Sequence, residues 1–104
     1  MNKELLEKLK KISERLKKEY KAEKVILYGS YARGEEKESS DLDLLIIAPT
    51  KERRFERIVK VLEIVDDLIT DIPVSPIVYT PSEIEQRKHD DAFIKTILKE
   101  GKEL

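Results

Sequence analysis

The chain has no cysteine, no tryptophan and one histidine, His89. Without thiols it has no disulfide framework, no thiol nucleophile and no thiolate metal site, and one imidazole cannot build a His-rich zinc centre. Any metal ion must therefore be held by oxygen ligands. An excess of one charge is also missing: 21 basic residues face 22 acidic ones, for a net charge of -1. No segment carries the surplus of Lys and Arg that draws in a phosphate backbone, so charge does not indicate a nucleic-acid partner. No apolar run approaches the roughly 18 residues of a membrane span. The first residues after Met1 are Asn2, Lys3 and Glu4, which do not form a secretory leader. The expectation is a cytoplasmic protein that does not meet a membrane. Hydrophobic residues make up 39% and charged residues 41%, enough for a core under a dense, mixed-sign surface. A length of 104 residues suits one domain spanning 1–104.

Periodicity sets out the elements. Leu5, Leu9, Ile12 and Leu16 recur at spacings of three and four, which predicts an amphipathic helix over 3–20. Residues 24–28, Lys-Val-Ile-Leu-Tyr, form a short β-branched run suited to a buried strand that stops at Gly29. A second strand is expected from Leu42 to Ala48, closed by Pro49. From Lys51 to Thr70, Phe55, Ile58, Val59, Leu62, Val65, Leu68 and Ile69 follow helical spacing and predict a long second helix. Residues 72–79 read as a third strand, and because Pro73 and Pro76 cannot donate to a ladder it belongs at a sheet edge. Thr80, Pro81 and Glu83 form a helix-start signature, with Thr80 as N-cap and Glu83 completing a capping box. That last helix is expected to run to about Glu100 and stop near Gly101. The fold class is α/β (α+β), a small mixed sheet covered by helices in the order α-β-(short α)-β-α-β-α.

One segment stands apart: Gly29-Ser30-Tyr31-Ala32-Arg33-Gly34, a polar loop, then Ser40-Asp41-Leu42-Asp43-Leu44-Leu45-Ile46. Gly29 lets the chain turn sharply off a buried strand and lets backbone approach a ligand closely. Ser30 is suited to cap the short helical turn that follows, leaving N–H groups and a hydroxyl aimed at an anion. Gly34 supplies the permissive conformation that ends the turn. Asp41 and Asp43 are two apart where the second strand begins, so both side chains point to one face and can share one hard cation or a pair. Two such carboxylates repel and would destabilise a strand that bound no cation. Their placement points to magnesium. Arg33 can either neutralise phosphate charge or pair with the loop acids Glu35, Glu36 and Glu38.

A strand, Gly-Ser-x-Ala-Arg-Gly, a polar loop and Ser-Asp-x-Asp running into a strand resembles the nucleotidyltransferase superfamily that includes DNA polymerase beta, and specifically its minimal nucleotidyltransferase branch. The resemblance implies the nucleotidyltransferase fold and transfer of a nucleoside monophosphate, usually from ATP, to a hydroxyl. It implies that Gly29 and Ser30, joined by Arg33 and Ser40, bind the nucleotide and that Asp41 and Asp43 hold two magnesium ions and carry the catalysis. Members usually bear a third carboxylate just before a run such as Ile77-Val78-Tyr79-Thr80-Pro81. Here the aligned position is Ser75, and Asp71, four residues earlier on the same parity, could serve as that general-base carboxylate only if the strand begins early or shifts register. Proteins of this branch are commonly paired with a small all-helical HEPN protein, an RNase-type toxin that they neutralise by contact or by adding AMP. The resemblance therefore implies an antitoxin role with a HEPN-type partner. A rival reading is a binding module of the same fold that has lost turnover along with the third carboxylate.

Overall fold

A computed structural model describes residues 1–104. The first helix, α1 (Lys3–Glu19), buries Leu5, Leu9, Ile12 and Leu16 as the spacing predicts. Asn2 caps it, its side-chain oxygen accepting the Leu5 N–H at 2.8 Å. There follow β1 (Lys24–Tyr28), the short helix α2 (Gly29–Arg33), β2 (Leu42–Ile47), α3 (Arg54–Val65), β3 (Val74–Tyr79), α4 (Pro81–Arg87), α5 (Ala92–Glu100) and β4 (Lys102–Glu103). The sheet order is β3-β2-β1-β4, with β1 antiparallel to β2 and to β4, and β2 parallel to β3. The parallel pair needs a crossover, and α3 supplies it.

Helices cover both faces of this mixed sheet, which is why β1 and β2 are nearly continuous apolar runs. On one face Val25, Leu27, Leu42, Leu44, Ile46 and Val78 meet Leu9, Ile12 and Leu16 of α1 and Val61 and Val65 of α3. On the other, Ile26, Leu45, Ile47 and Tyr79 meet Ile84 of α4 and Ile94 and Ile97 of α5. The edge position expected for the proline-bearing strand holds, although β3 begins at Val74 rather than at residue 72. Leu42 N–H donates to Pro73 O at 2.8 Å and Ala48 N–H to Tyr79 O at 3.0 Å. Odd-numbered residues of β3 thus turn their backbone groups toward β2, and Pro76 turns its missing donor to the open edge.

Two expectations are corrected. The second long helix, predicted over 51–70, occupies only Arg54–Val65. At its start Thr50 Oγ1 accepts the Glu52 N–H at 3.1 Å and Tyr20 donates to Glu52 at 2.8 Å, holding that stretch outside the helix. At its end Leu68 N–H bonds back to Val65 O at 3.0 Å in a turn, and Ile69 drops into the core. The last helix, predicted as one, is two: Asp91 accepts the Phe93 and Ile94 N–H groups at 3.0 and 3.2 Å and starts α5 afresh. His89 lies in the exposed turn between them. Strand β4, two residues beyond Gly101, was not anticipated; pairing with Ile26 and Leu27 of β1 creates it.

One charged side chain is buried. Arg57, 7% exposed, projects from the core-facing stripe of α3 that also carries Val61 and Val65. It donates to Glu52 O at 2.8 Å, to Val78 O on the β3 edge at 3.2 Å and to Glu83 at 2.7 Å. Glu83 in turn accepts the Thr80 N–H at 2.7 Å, completing the capping box of α4. Hydrogen bonding from Arg57 holds the Glu83 carboxyl below the usual range. Arg57→Met is expected to cost about 3 kcal/mol in denaturant unfolding, because Glu83 and the Val78 carbonyl lose their partner. Because Glu83 has a depressed pKa in the folded state, its contribution is fully present above the ordinary carboxylate range. It is lost as pH falls through the folded value. Glu83→Gln should therefore flatten the acid limb of the stability profile relative to the native protein.

Candidate functional site

The site grows from the register of the three longer strands. Tyr28 of β1 lies opposite Asp43 of β2, and Asp43 opposite Ser75 of β3, so the three form a row across the sheet. Their parity is that of Ile26, Leu45, Ile47 and Tyr79, so the row faces the α4–α5 side. It lies where β1 ends and β2 begins, with Tyr28 packed against the cluster that holds Ile84, Ile94 and Ile97. Phe93, at the start of α5, reaches it: its ring meets Tyr28 edge to face at 5.7 Å between centroids.

At this end β1 turns directly into α2. Gly29 has φ +76° and Gly34, which closes α2, has φ +70°, both in the left-handed region that favours glycine. Gly34 N–H bonds back to the Ser30 and Tyr31 carbonyls, the termination expected of it. Gly29 is constrained twice, because a Cβ there would overlap the Asp43 carboxylate, lying 3.1 Å from its Cγ and closer still to Oδ2. The backbone of the turn thus presses against the acid. The expected serine cap is corrected: α2 begins one residue earlier, Tyr28 takes the N-cap position without a side-chain bond, and Ser30 lies inside the first turn.

Asp43 is partly buried and Asp41, just ahead of β2, is exposed. Loss of hydration raises the Asp43 pKa, the charge of Asp41 raises it further, and Arg33 opposes both. Neither acid has a cation within ion-pair distance. Two unneutralised carboxylates at a strand end are a donor set for a hard, oxygen-preferring cation such as magnesium, and the chemistry of these residues fits that ion. No third His, Asp or Glu joins them to make a larger cluster. Burial, with the charge of Asp43 adding to it, pushes the Tyr28 hydroxyl up to about 12, so Tyr28 stays protonated at neutral pH.

The other candidate residues are distributed as follows. Ser30, Arg33 and Gly29 share α2 beside the row. Arg33 donates to Glu35 at 2.8 Å, the loop-acid pairing open to it, and its charge also acts on Asp43. Ser40 accepts the Lys37 N–H at 2.9 Å and ties the polar loop together. Asp71 precedes β3 and pairs with Lys8 of α1 at 3.8 Å. Neither condition for its use is met: the strand does not begin early, and the register opposite Asp43 belongs to Ser75. Phe93 escaped the sequence reading, since an exposed aromatic 50 residues from Asp43 carries no periodic signal.

Against known proteins, the nucleotidyltransferase domain family matches residues 9–104. Several chains of Methanocaldococcus jannaschii named as candidate protein adenylyltransferases are similar over shorter stretches. One is 54% identical over 44 residues, 42% of this chain and 42% of its own. A second is 46% identical over 43 residues, 41% of this chain and 50% of its own. A third is 44% identical over 62 residues, 57% of this chain and 61% of its own. The matched stretch thus spans about half the length of these relatives. A match over nearly the whole chain, on a mixed sheet that sets a glycine turn against paired strand-end carboxylates, makes this chain a member of the nucleotidyltransferase domain family.

Proposed function

We propose that this domain is a magnesium-dependent adenylyltransferase that moves AMP from ATP to a hydroxyl on a partner protein. The observation that carries the reading is the contact between Gly29 and Asp43: the turn that would receive phosphates is pressed against the acid that would hold their metal. Gly29 and Ser30 would take the triphosphate, with Arg33 adding positive charge and Ser40 holding the loop that leads to Asp41. Asp41 and Asp43 would hold magnesium, which when bound offsets the charge on the attacking and leaving oxygens. The acceptor oxygen bonds to the α-phosphorus as the bond to pyrophosphate breaks. The chain's own residues mainly position charge. The names of the M. jannaschii relatives favour AMP as the group and protein as the acceptor, and the resemblance to the minimal branch favours a HEPN-type toxin as the partner.

A second reading is a contact antitoxin or regulatory module with little or no turnover. What favours it is Ser75: it occupies the register position beside Asp43 where a third carboxylate would accept the acceptor's proton, and Asp71 is engaged with Lys8.

Saturating magnesium-ATP should raise the melting temperature, since a ligand at 100 times its Kd adds about 2.7 kcal/mol to the folded state. Unchanged melting would count against the nucleotide site. Asp43→Asn should remove that ligand effect while leaving metal-free stability equal or higher, because it discharges a carboxylate that the fold tolerates poorly. A marked loss of metal-free stability would instead assign Asp43 a structural role.

AMP transfer to a co-purified HEPN-type partner separates the two readings. With Ser75 in the base position, native transfer should be slow and Ser75→Asp should raise it, by up to about 10²-fold, the lower end of what a positioned base contributes. Asp71→Asn should change little. Robust native transfer abolished by Asp71→Asn would reverse this assignment, and no transfer by any of the three proteins would leave the contact module.

A further inference from the structure

Beside the Tyr28–Asp43–Ser75 row lies a narrow cleft between α2 and α5, lined by Tyr28, Gly29, Arg33, Phe93, Thr96 and Glu100. Its volume is about 60 Å³, which admits one edge of a flat ring and does not enclose a whole nucleotide. Three features give it chemical character. Phe93 is 51% exposed although it is aromatic. Its orientation is held by the edge-to-face contact with Tyr28 at 5.7 Å, so the exposed ring area is presented in a defined attitude. On the α2 wall lies Arg33, whose flat guanidinium donates through Nε to Glu35 and is of the kind that stacks on aromatic faces.

Gly29, which lies against Asp43, is itself part of the cleft lining with Phe93, so a group anchored at that turn borders the cleft. From Phe93 to Glu100 the α5 wall extends about 10 Å at 1.5 Å per residue, a length comparable to a nucleoside. The polar groups along the wall are Thr96, whose hydroxyl donates to Ala92 O at 2.9 Å, and the Glu100 carboxylate.

We propose that Phe93 is the stacking platform for the nucleobase, with Arg33 on the opposite wall, and that the α2–α5 cleft is the base subsite of the nucleotide whose phosphates meet Gly29 and Ser30. The proposal rests on the nucleotide reading above and adds to it a residue far from the motif. Stacking is tolerant of base identity, because every base presents a π-face. Phe93 therefore contributes affinity for nucleoside triphosphates as a class.

Binding titrations with two probes test it, both with magnesium: ATP, which carries a base, and inorganic tripolyphosphate, which does not. Phe93→Ala should weaken ATP binding about tenfold, the loss of one base–aromatic contact, and leave tripolyphosphate binding unchanged. Phe93→Trp should retain or tighten ATP binding, and both variants should melt near the native protein because the ring is half exposed. Equal ATP affinity for native and Phe93→Ala proteins would overturn the proposal, as would equal loss of both probes. Failure of the native protein to bind either probe would overturn the nucleotide reading itself, whereas tripolyphosphate binding with no preference for ATP would overturn the base subsite alone.

Discussion

The constraint on which the rest depends is the presence of a carboxylate in a central strand. Strand β2 is flanked by β1 and β3 and covered on both faces, and all its residues but Asp43 are buried and apolar. An ionised side chain can occupy such a strand only where cover ends. The register places it there, between Tyr28 and Ser75. The same position brings the β1–α2 turn against it, and only a residue without Cβ fits between them. The apolar run, the strand-end acid and the glycine turn are thus consequences of one packing problem.

Around that point the fold is arranged unevenly. The α1–α3 face carries the larger core, and the α4–α5 face a smaller one, against which Tyr28 of the row packs. The break at Asp91 matters because it starts α5 with Phe93 above Tyr28. Behind the site, Arg57 ties α3, the β3 edge and the capping box of α4 into one hydrogen-bonded unit. The open edge of β3 is protected there and at Pro76, where a donor is missing.

The elements with long periodic patterns were legible from the residues: α1, β1, β2 and the capped start of α4 appear where the spacing and capping signatures put them. Errors fell where a side chain competes with the helix backbone. Thr50 and Glu52 delay α3, and Asp91 divides the last helix by serving as an N-cap. Within the candidate site, Gly29, Gly34, Asp41 and Asp43 were marked by residue type and spacing alone. Ser30 as a cap was not sustained, because β1 passes into α2 without an intervening residue.

Local order along the chain determined the glycine turn, the carboxylate pair and the edge placement of the proline-bearing strand, since each depends on residues a few positions apart. Only the tertiary structure decided that Ser75 is the neighbour of Asp43, that Asp71 turns to Lys8, and that Phe93 meets Tyr28. These are contacts between residues separated by 32 or more positions. Strand register and helix packing set them through the whole core, and no window of sequence contains both partners.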